Sequence, residues 1–188
     1  YVTDAAGRRL IDGPAGMWCV NAGHRNRELA DVMAAQAMEL SYNSPWYTTN
    51  APSAVLSARL AGHAPDGVDH VFYTTGGSTA NDTAVRLAHY YFNRRGLPNK
   101  KKILSRHNGY HGSTYFAATL TGIHGTRFGF DAIAEDIVHH LSAADLYRRP
   151  QGMDEQAFCD HLVREFEERI VQLGADNIAA FIAEPRSE

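Results

Sequence analysis

The sequence predicts an α/β fold with a mostly parallel sheet flanked by helices, and three observations support this prediction. Residues 102–106 form a short apolar run with the character of a strand, directly after a long amphipathic pattern. Residues 178–183 form a nearly continuous apolar run, which is typical of a strand buried on both faces. Around Gly76 and Gly77 the chain passes from β-forming to helix-forming residues. Strand, helix and strand in this order indicate a parallel βαβ unit.

The composition is that of an ordinary globular protein. The chain has 188 residues, of which 44% are hydrophobic and 21% charged, enough for one sizeable core. A net charge of -3 argues against a nucleic-acid partner or an anionic membrane surface. The 2 cysteines lie far apart, and no apolar run reaches the roughly 18 residues of a membrane span. We therefore expect a cytoplasmic protein with neither nucleic acid nor membrane as a partner.

The first 50 residues predict a hairpin, a helix and an aromatic loop. Residues 7–13 and residues 17–21 have the pattern of two short strands that pair with each other. From residue 27 to residue 40, apolar side chains recur every three or four positions, which indicates an amphipathic helix. Residues 42–47 contain three aromatic side chains and a proline, so they predict a loop.

Further elements follow from the same periodic patterns along the rest of the chain. Helices are predicted over residues 51–63, 78–95 and 154–173, and strands over residues 71–73 and 137–138. The glycines and mixed polarity of residues 122–134 predict a long loop.

Residues 75–79 (Thr-Gly-Gly-Ser-Thr), called the glycine turn below, have the features of a phosphate site. The first turn of a helix leaves backbone N–H groups without intrahelical partners, and the helix dipole adds partial positive charge there. Gly76 and Gly77 lack the Cβ atoms that would keep an anion away, and Ser78 and Thr79 can add hydroxyl donors. The same pattern also serves as an ordinary turn and helix cap. The motifs of a P-loop and of a dinucleotide-binding turn are absent.

Together with its surroundings, the glycine turn resembles the phosphate-binding segment of the class III, pyridoxal-phosphate-dependent aminotransferases. That segment has approximately the sequence Asn-Ser-Gly-Ser-Glu-Ala-Asn-Asp-Thr-Ala, and residues 75–84 here are Thr-Gly-Gly-Ser-Thr-Ala-Asn-Asp-Thr-Ala. Residues 108–114 (Asn-Gly-Tyr-His-Gly-Ser-Thr), called the Tyr-His-Gly segment below, resemble a second signature of the family. Residues 16–21 (Gly-Met-Trp-Cys-Val-Asn) and 183–185 (Ala-Glu-Pro) match as well. The resemblance thus extends over essentially the whole chain.

The resemblance implies a fold, a cofactor and partners. The fold would be part of a fold type I pyridoxal-phosphate transferase, with an N-terminal segment of the small domain over residues 1–50. Residues 51–188 would form the first part of the large, cofactor-binding domain. The implied reaction moves an amino group from an amine or ω-amino acid to a keto acid. Pyruvate is the expected acceptor because residues 16–21 resemble the ω-amine branch of the family. The family also implies a homodimer with its sites at the subunit interface.

The resemblance also implies roles for individual residues. Those that would bind pyridoxal phosphate through its phosphate, its ring face and its ring substituents are Gly76, Gly77, Ser78, Tyr110, His111 and Glu184. Those that would contact the substrate are aromatic: Trp18, Trp46 and Tyr47. Without the resemblance, Trp18 would be read as a core residue, Glu184 as a solvated carboxylate, and the aromatic loop as folded onto its own domain.

No catalytic residue is assigned, because the lysine expected to bind the cofactor's aldehyde is missing. In the family this Schiff-base lysine, and the aspartate that binds the pyridine nitrogen, lie well beyond a Glu-Pro pair. The three lysines, Lys100, Lys101 and Lys102, instead precede a predicted strand. We therefore expect the chain to be an N-terminal portion of a longer enzyme, with the lysine beyond Glu188. The alternatives are an aminomutase or decarboxylase, or a non-catalytic module that binds a phosphorylated ligand.

A metal site is not expected. His107 and His111 are four residues apart, a spacing that puts two ligands on one face only in a helix. Asn108 and Gly109 between them disfavour a helix.

Overall fold

The structure is a computed structural model that describes residues 1–131 and 133–184. It divides into two units, Tyr1–Val71 and Phe72–Glu188, called the first and second unit below. The predicted domain boundary after residue 50 stays a prediction, because the division of the chain into compact units does not define the domains of a family.

The first unit contains two short strands and three helical segments. They are β1 (Val2–Thr3), β2 (Arg9–Leu10), α1 (Ala15–Trp18), α2 (Arg27–Glu39) and α3 (Ala51–Ala61). The Asn26 side chain accepts a hydrogen bond from Leu29 N and caps α2, and the Asn50 side chain caps α3 from Ser53 N. Both helices predicted for this unit are therefore confirmed, although α3 ends at Ala61 and not at residue 63. None of residues 1–71, all of which the structure describes, is buried.

The predicted hairpin was wrong in one of its two strands. β2 lies within residues 7–13 as expected, but it pairs antiparallel with β1 and not with residues 17–21. The region of residues 17–21 instead begins inside α1, where Gly16 and Met17 have positive φ angles of 62° and 57°. A β-rich composition does not form a strand where the backbone turns left-handed, because the ladder geometry is lost.

The described part of the second unit contains a parallel sheet and four helices of different lengths. In chain order the elements are α4 (Gly77–Arg94), β3 (Lys102–Arg106), α5 (Tyr115–Leu120), α6 (His124–Arg127), β4 (Val138–Leu141), α7 (Glu155–Leu173), a 3₁₀ turn (Ala175–Asn177) and β5 (Ile178–Phe181). The strand order is β4-β3-β5, and both neighbours of β3 run parallel to it. The predicted α/β fold with a parallel sheet is confirmed.

The core of the second unit surrounds β3, the central strand. Ile103, Leu104 and Ser105 are fully buried. Ile103 packs in a cluster with Val85 of α4 and with side chains of α5 and β4. Because β3 is fixed on both sides, the residues that follow its carboxyl end start from a rigid position. These residues are the Tyr-His-Gly segment.

Four predictions in the second unit need correction. Residues 71–73 are not a strand in the structure, because no described strand pairs with them and a strand exists through its ladder. β5 ends at Phe181 and is not buried on both faces, since three of its residues are half-buried and Phe181 is exposed. β4 covers 138–141, beyond the predicted residues 137–138. The predicted loop over residues 122–134 contains α6. Residue 132 of that loop lies outside the described residues.

The remaining elements agree with the sequence. α7 begins after Asp154, whose side chain accepts a hydrogen bond from Ala157 N and caps the helix, and it ends before Gly174. α4 and β3 lie where the patterns predicted them. In the part of the chain that the structure describes, no helix is both long and apolar enough to cross a membrane.

Candidate active site

The glycine turn forms the N-terminus of α4, an 18-residue helix. Gly76 is its N-cap residue with extended backbone (φ 170°, ψ 171°), and no described side chain caps the helix. A Cβ atom built on Gly76 or Gly77 would meet no heavy atom within 4 Å. The space beside both glycines is therefore open, and it lies at the positive end of a long helix dipole. These are the requirements of a phosphate group, so the turn fits the phosphate of the cofactor.

The two hydroxyl residues of the glycine turn have different tasks. Thr79 Oγ1 donates to the Gly76 carbonyl at 2.8 Å, so its hydrogen is used inside the turn. Ser78 Oγ accepts a hydrogen bond from Ser113 N at 3.1 Å, which leaves its hydroxyl hydrogen available as a donor. Ser78 is thus better placed than Thr79 to donate to a phosphate oxygen.

The same hydrogen bond brings the Tyr-His-Gly segment against the glycine turn. The approach is close, because a Cβ atom on Gly112 would lie 2.4 Å from Ser78 Oγ and 2.8 Å from Ser78 Cα. Gly112 also has a φ of 129°, which side chains rarely allow. Only glycine permits both the contact and the conformation. Gly112 was recognised from the sequence as part of a motif, but its close approach to Ser78 was missed. This contact can be seen only when both segments are placed in the fold.

Three more residues that sequence reasoning missed fix the segment from outside. Asn81 Nδ2 donates to the His111 carbonyl at 2.7 Å, and Asp82 Oδ1 accepts from Ala117 N at 3.0 Å. Both side chains belong to α4. Thr121, which is buried, accepts from His111 N at 2.9 Å through Oγ1. The signal for the first two was the polar pair itself, since Asn81 and Asp82 follow Ser78 by three and four residues on one helix face.

The loop that carries the segment closes on itself at its base. Gly122 N donates to the Gly109 carbonyl at 2.8 Å, and the Gly122 carbonyl accepts from Asn108 N at 3.2 Å. A Cβ atom on Gly122 would lie 2.1 Å from the Arg106 carbonyl oxygen. The backbone therefore meets backbone directly at this position, which anchors the loop to the end of β3.

Tyr110, His111 and Glu184 lie together, as the predicted roles require. Tyr110 N donates to Glu184 Oε2 at 2.9 Å, so the carboxylate after β5 fixes the backbone of the proposed ring-stacking residue. The Tyr110 side chain is half-exposed, whereas His111 is only 5% exposed. Glu184 itself is exposed, and its Oε2 atom binds this backbone N–H. Pro185, the next residue of the predicted Glu-Pro pair, lies outside the described residues.

His111 has the electrostatics of a neutral binding group. Burial lowers the pKa of His111, and the negative charge of Glu184 opposes this effect only in part. Its Nε2 atom is buried and has no hydrogen-bond partner among the described residues. A buried polar atom without a partner costs free energy, so Nε2 is available to a polar atom of a ligand.

A cavity of about 920 Å³ borders the Tyr-His-Gly segment on the side of α6. Tyr110, Gly112 and Ser113 form one wall of this cavity, and Arg127 and Phe128 belong to the lining beyond them. The cavity has the size of a small-molecule site.

The three predicted substrate residues all lie in the first unit and are exposed. Trp18 is 61% exposed and Tyr47 is 96% exposed, and the Trp46 side chain is exposed as well. The Trp46 and Tyr47 rings lie 6.5 Å apart. A core role for Trp18 is therefore wrong, while its role toward a substrate stays a prediction.

The three lysines are each bound to other groups of the second unit. Lys100 Nζ donates to the Ala175 carbonyl at 2.7 Å, Lys101 Nζ to Asn93 Oδ1 at 2.6 Å, and Lys102 Nζ to the Asp136 carbonyl at 3.1 Å. They precede or begin β3, whereas Tyr110 follows its carboxyl end. The length of the strand separates them from the site.

Comparisons with known proteins agree with the geometry. The sequence model of the family described as Aminotransferase class-III matches residues 1–188. The chain is 37% identical over 186 residues to the putrescine–pyruvate aminotransferase of Pseudomonas aeruginosa, with 98% of this chain and 41% of that protein covered. It is 39% identical over 188 residues to the diaminobutyrate–2-oxoglutarate transaminase of Halomonas elongata, with 98% and 40% covered. The chain therefore spans about two fifths of the length of these curated relatives.

Solved structures of similar proteins confirm the predicted fold type. An (S)-enantioselective ω-transaminase from Thermomicrobium roseum matches with a TM-score of 0.93 and 39% identity, covering 98% of this chain and 41% of that one. The ω-transaminase from Pseudomonas jessenii in complex with PMP matches with a TM-score of 0.94 and 38% identity, covering 100% and 42%. The chain belongs to the class III aminotransferase family, whose cofactor is pyridoxal phosphate.

Proposed function

We propose that this chain supplies the phosphate end and the ring wall of a pyridoxal-phosphate site in a transaminase. The enzyme moves an amino group from an amine or ω-amino acid to a keto acid. One observation carries the proposal: the glycine turn at the start of α4 faces open space and receives the Tyr-His-Gly segment through the Ser78–Ser113 hydrogen bond of 3.1 Å. The two parts of the proposed cofactor site are thus in direct contact.

The phosphate would bind to the backbone N–H groups of the glycine turn and to the Ser78 hydroxyl. Gly76 and Gly77 leave room for it, and the dipole of α4 favours its negative charge. Bound pyridoxal phosphate supplies the electron-withdrawing ring that makes a bond of the amino donor reactive. The residues of this chain fix the position of that ring.

Tyr110 would lie against the ring face, and Glu184 would fix Tyr110 through its backbone N–H at 2.9 Å. A flat aromatic wall orients the cofactor plane, which determines the substrate bond that becomes aligned for cleavage. His111, neutral because of its burial, would offer Nε2 to a polar atom of the cofactor or substrate. Its role is positioning, since a proton-transferring lysine is the base in this chemistry.

The lysine of that chemistry is proposed to lie in sequence outside this chain. The support is that Lys100, Lys101 and Lys102 all hold groups near the amino end of β3. The substrate side is proposed to include the exposed aromatic residues of the first unit: Trp18, Trp46 and Tyr47.

We propose pyruvate as the amino acceptor. The resemblance of residues 16–21 to the ω-amine branch supports it, as does a relative named for pyruvate. A relative named for 2-oxoglutarate has similar identity, so the acceptor is tested separately below. A cytoplasmic homodimer is the proposed form of the enzyme. The free cysteines Cys19 and Cys159 are consistent with a reducing compartment.

The cofactor part of the proposal is tested with the natural protein. Its intact mass is measured, and its visible absorbance is recorded with pyridoxal phosphate before and after borohydride. We expect a subunit longer than this chain. We also expect a chromophore that borohydride abolishes while leaving the cofactor covalently attached to the protein. A natural chain of this length without a reducible chromophore would favour the non-catalytic phosphate-binding module instead.

The reaction is tested by product analysis with an amine donor. Alanine formed from pyruvate, in preference to glutamate from 2-oxoglutarate, is the expected result. Carbon dioxide from the donor, or migration of its amino group within one molecule, would favour the decarboxylase or the aminomutase.

A further inference from the structure

We infer that Asn81 is a positioning residue that couples the phosphate end of the site to its ring wall. This inference rests on the proposed function. The half-buried Asn81 side chain donates from Nδ2 to the His111 carbonyl at 2.7 Å, across 30 residues of sequence. Asn81 itself lies one turn into α4, behind the residues that would contact the phosphate. It therefore acts through other groups and not on the cofactor directly.

Three side chains on one face of α4 bind backbone groups of the Tyr-His-Gly segment and of α5, the helix that follows it. Ser78 Oγ accepts from Ser113 N at 3.1 Å, and Asp82 Oδ1 accepts from Ala117 N at 3.0 Å. Asn81 differs from these two because it donates, and its acceptor is a carbonyl oxygen. The three contacts have the i, i+3, i+4 spacing of neighbours on a helix surface. The helix that would hold the phosphate is thus joined directly to the loop that carries Tyr110.

The orientation of the His111 carbonyl determines the direction of the groups that follow it. A peptide unit is planar, so fixing the His111 oxygen also fixes the plane that leads into Gly112. Gly112 has the left-handed φ of 129°, after which Ser113 N points at Ser78 Oγ. The Asn81 hydrogen bond therefore fixes the geometry in which Ser113 N–H donates to Ser78 Oγ. In this geometry the Ser78 hydroxyl hydrogen remains available to a phosphate.

The preceding peptide group, which carries the His111 N–H, is bound as well. His111 N donates to Thr121 Oγ1 at 2.9 Å, so His111 is held at both its N–H and its carbonyl. Tyr110, directly before it, is held by Glu184 at 2.9 Å. Loss of the Asn81 contact would free the carbonyl alone, which is the part of His111 that binds α4 and leads through Gly112 to Ser113. We therefore expect the loss to weaken the phosphate contact of Ser78 more than the ring contact of Tyr110.

The test compares Asn81→Ala with Asn93→Ala in the full-length enzyme, from which the cofactor is removed before titration. Asn93 is a matched control, since it is the same residue type on the same helix and binds Lys101 Nζ at 2.6 Å, close to the other end of α4. The dissociation constants of pyridoxal phosphate and of pyridoxal, which lacks the phosphate, are measured by absorbance titration. Asn81→Ala should weaken the binding of pyridoxal phosphate about 10-fold and the binding of pyridoxal much less. The reason is that loss of the hydrogen bond to the buried His111 changes mainly the contact with the phosphate. Asn93→Ala should change both by less than about twofold.

A double-mutant cycle with Ser78→Ala gives the second readout. If Asn81 acts through Ser78, removal of the Ser78 hydroxyl costs less affinity in the Asn81→Ala protein than in the wild type. Should Asn81→Ala fail to fold, Asn81→Ser keeps a shorter donor and should show the same pattern with a smaller loss. Equal losses for both ligands, or independent losses for the two substitutions, would overturn the coupling and leave the proposed function intact. A wild-type protein without affinity for pyridoxal phosphate would overturn the proposed function itself.

Discussion

The two units of the chain hold their candidate functional residues in different ways. In the first unit none of residues 1–71 is buried, and Trp18, Trp46 and Tyr47 all project from the surface. In the second unit the Tyr-His-Gly segment rests on a buried sheet and is bound by side chains of α4 and by Glu184. Within the described residues, hydrogen bonds between distant segments hold the candidate cofactor residues of the second unit, whereas the three candidate substrate side chains of the first unit are exposed.

Backbone strain occurs in both units. In α1 of the first unit, Ala15, Met17 and Trp18 all have positive φ angles, which cost about 1–2 kcal/mol each for residues other than glycine. In the Tyr-His-Gly segment of the second unit, Gly112 has a positive φ angle without this cost because it lacks a side chain, whereas Asn108 has a φ of 63°. Strained positions therefore lie at a candidate substrate residue in the first unit and at the start of the Tyr-His-Gly segment in the second.

The largest effect is expected from Gly112→Ala in the second unit. A new Cβ atom would lie 2.4 Å from Ser78 Oγ in a backbone conformation with φ of 129°, so the Tyr-His-Gly segment must move away from the glycine turn. Strain of this kind, with the lost contact, corresponds to about 100-fold weaker binding of pyridoxal phosphate. An absorbance titration measures it.

Gly152→Ala is the control for this substitution. Gly152 has a φ of 87°, but its Cβ would meet no atom within 4 Å. The alanine therefore brings the backbone strain without the contact to Ser78. Equal cofactor affinities for the two variants would mean that the close approach at Gly112 is irrelevant to binding.

Tyr110→Ala should have the next largest effect. The loss of an aromatic face against the cofactor ring is expected to weaken pyridoxal phosphate about 10-fold and to slow transamination. Tyr110→Phe keeps the ring, and the hydrogen bond to Glu184 uses the backbone N–H in both variants. The phenylalanine variant should thus bind almost as well as the wild type. Unchanged activity of Tyr110→Ala would remove this residue from the site.

A pH titration should separate the stability of the two units. Burial lowers the pKa of His111, His139 and His140 from the ordinary 6.5, so the folded second unit favours their neutral forms. As the pH falls below 6.5, the unfolded chain therefore binds more protons than the folded one. The contribution of these histidines to the free energy of unfolding is fully present above pH 6.5 and is lost below it. In the first unit, hydrogen bonds lower the pKa of Asp4 and Asp12 from 3.8, so the loss there begins only below that pH.

The measurement is the urea midpoint by far-ultraviolet circular dichroism on both sides of pH 6.5. The urea midpoint should decrease less at acidic pH in His140→Gln, because the glutamine amide does not titrate. The amide can still donate to the Leu120 carbonyl, which His140 Nε2 contacts at 3.1 Å. His70→Gln, at an exposed side chain, is the control. A midpoint that rises at acidic pH would contradict the assignment.

The smallest effect is expected in the first unit. Trp18→Ala should raise the KM for the amino donor by about fivefold without weakening pyridoxal phosphate, because Trp18 is proposed to contact only the substrate. Tyr42→Ala removes another exposed aromatic side chain of this unit and should leave the KM within about twofold. Steady-state kinetics with a single amine donor decide between them. A Trp18→Ala enzyme with wild-type KM would take Trp18 out of the substrate site.

Much of the fold could be predicted because the periodic apolar pattern of a long helix remains clear even where single residues depart from it. α2, α4 and α7 contain 13, 18 and 19 residues, and their apolar spacing is clear over several turns. α5 has only six residues and no side-chain cap, so its pattern is too short to separate from a loop. Residues 71–73 have β-forming side chains, but the existence of a strand depends on a neighbour that no local pattern reveals.

The candidate site was predictable only where a motif marked it. The glycine turn and the Tyr-His-Gly segment each have a recognisable sequence, and the structure brings them into contact. The roles of Asn81 and Thr121 depend on hydrogen bonds to residues 30 and 10 positions away. Such contacts follow from the packing of α4 against the loop after β3, which sequence spacing does not encode.

The central claim is that one cofactor joins the glycine turn to the Tyr-His-Gly segment, and a crystal structure with bound pyridoxal phosphate tests it most directly. The account predicts phosphate oxygens within about 3 Å of the backbone nitrogens of Gly77 and Ser78 and of Ser78 Oγ. It also predicts the pyridine ring stacked on Tyr110, with the Asn81–His111 hydrogen bond of 2.7 Å retained. A phosphate bound elsewhere, or a ring that does not contact Tyr110, would contradict the account.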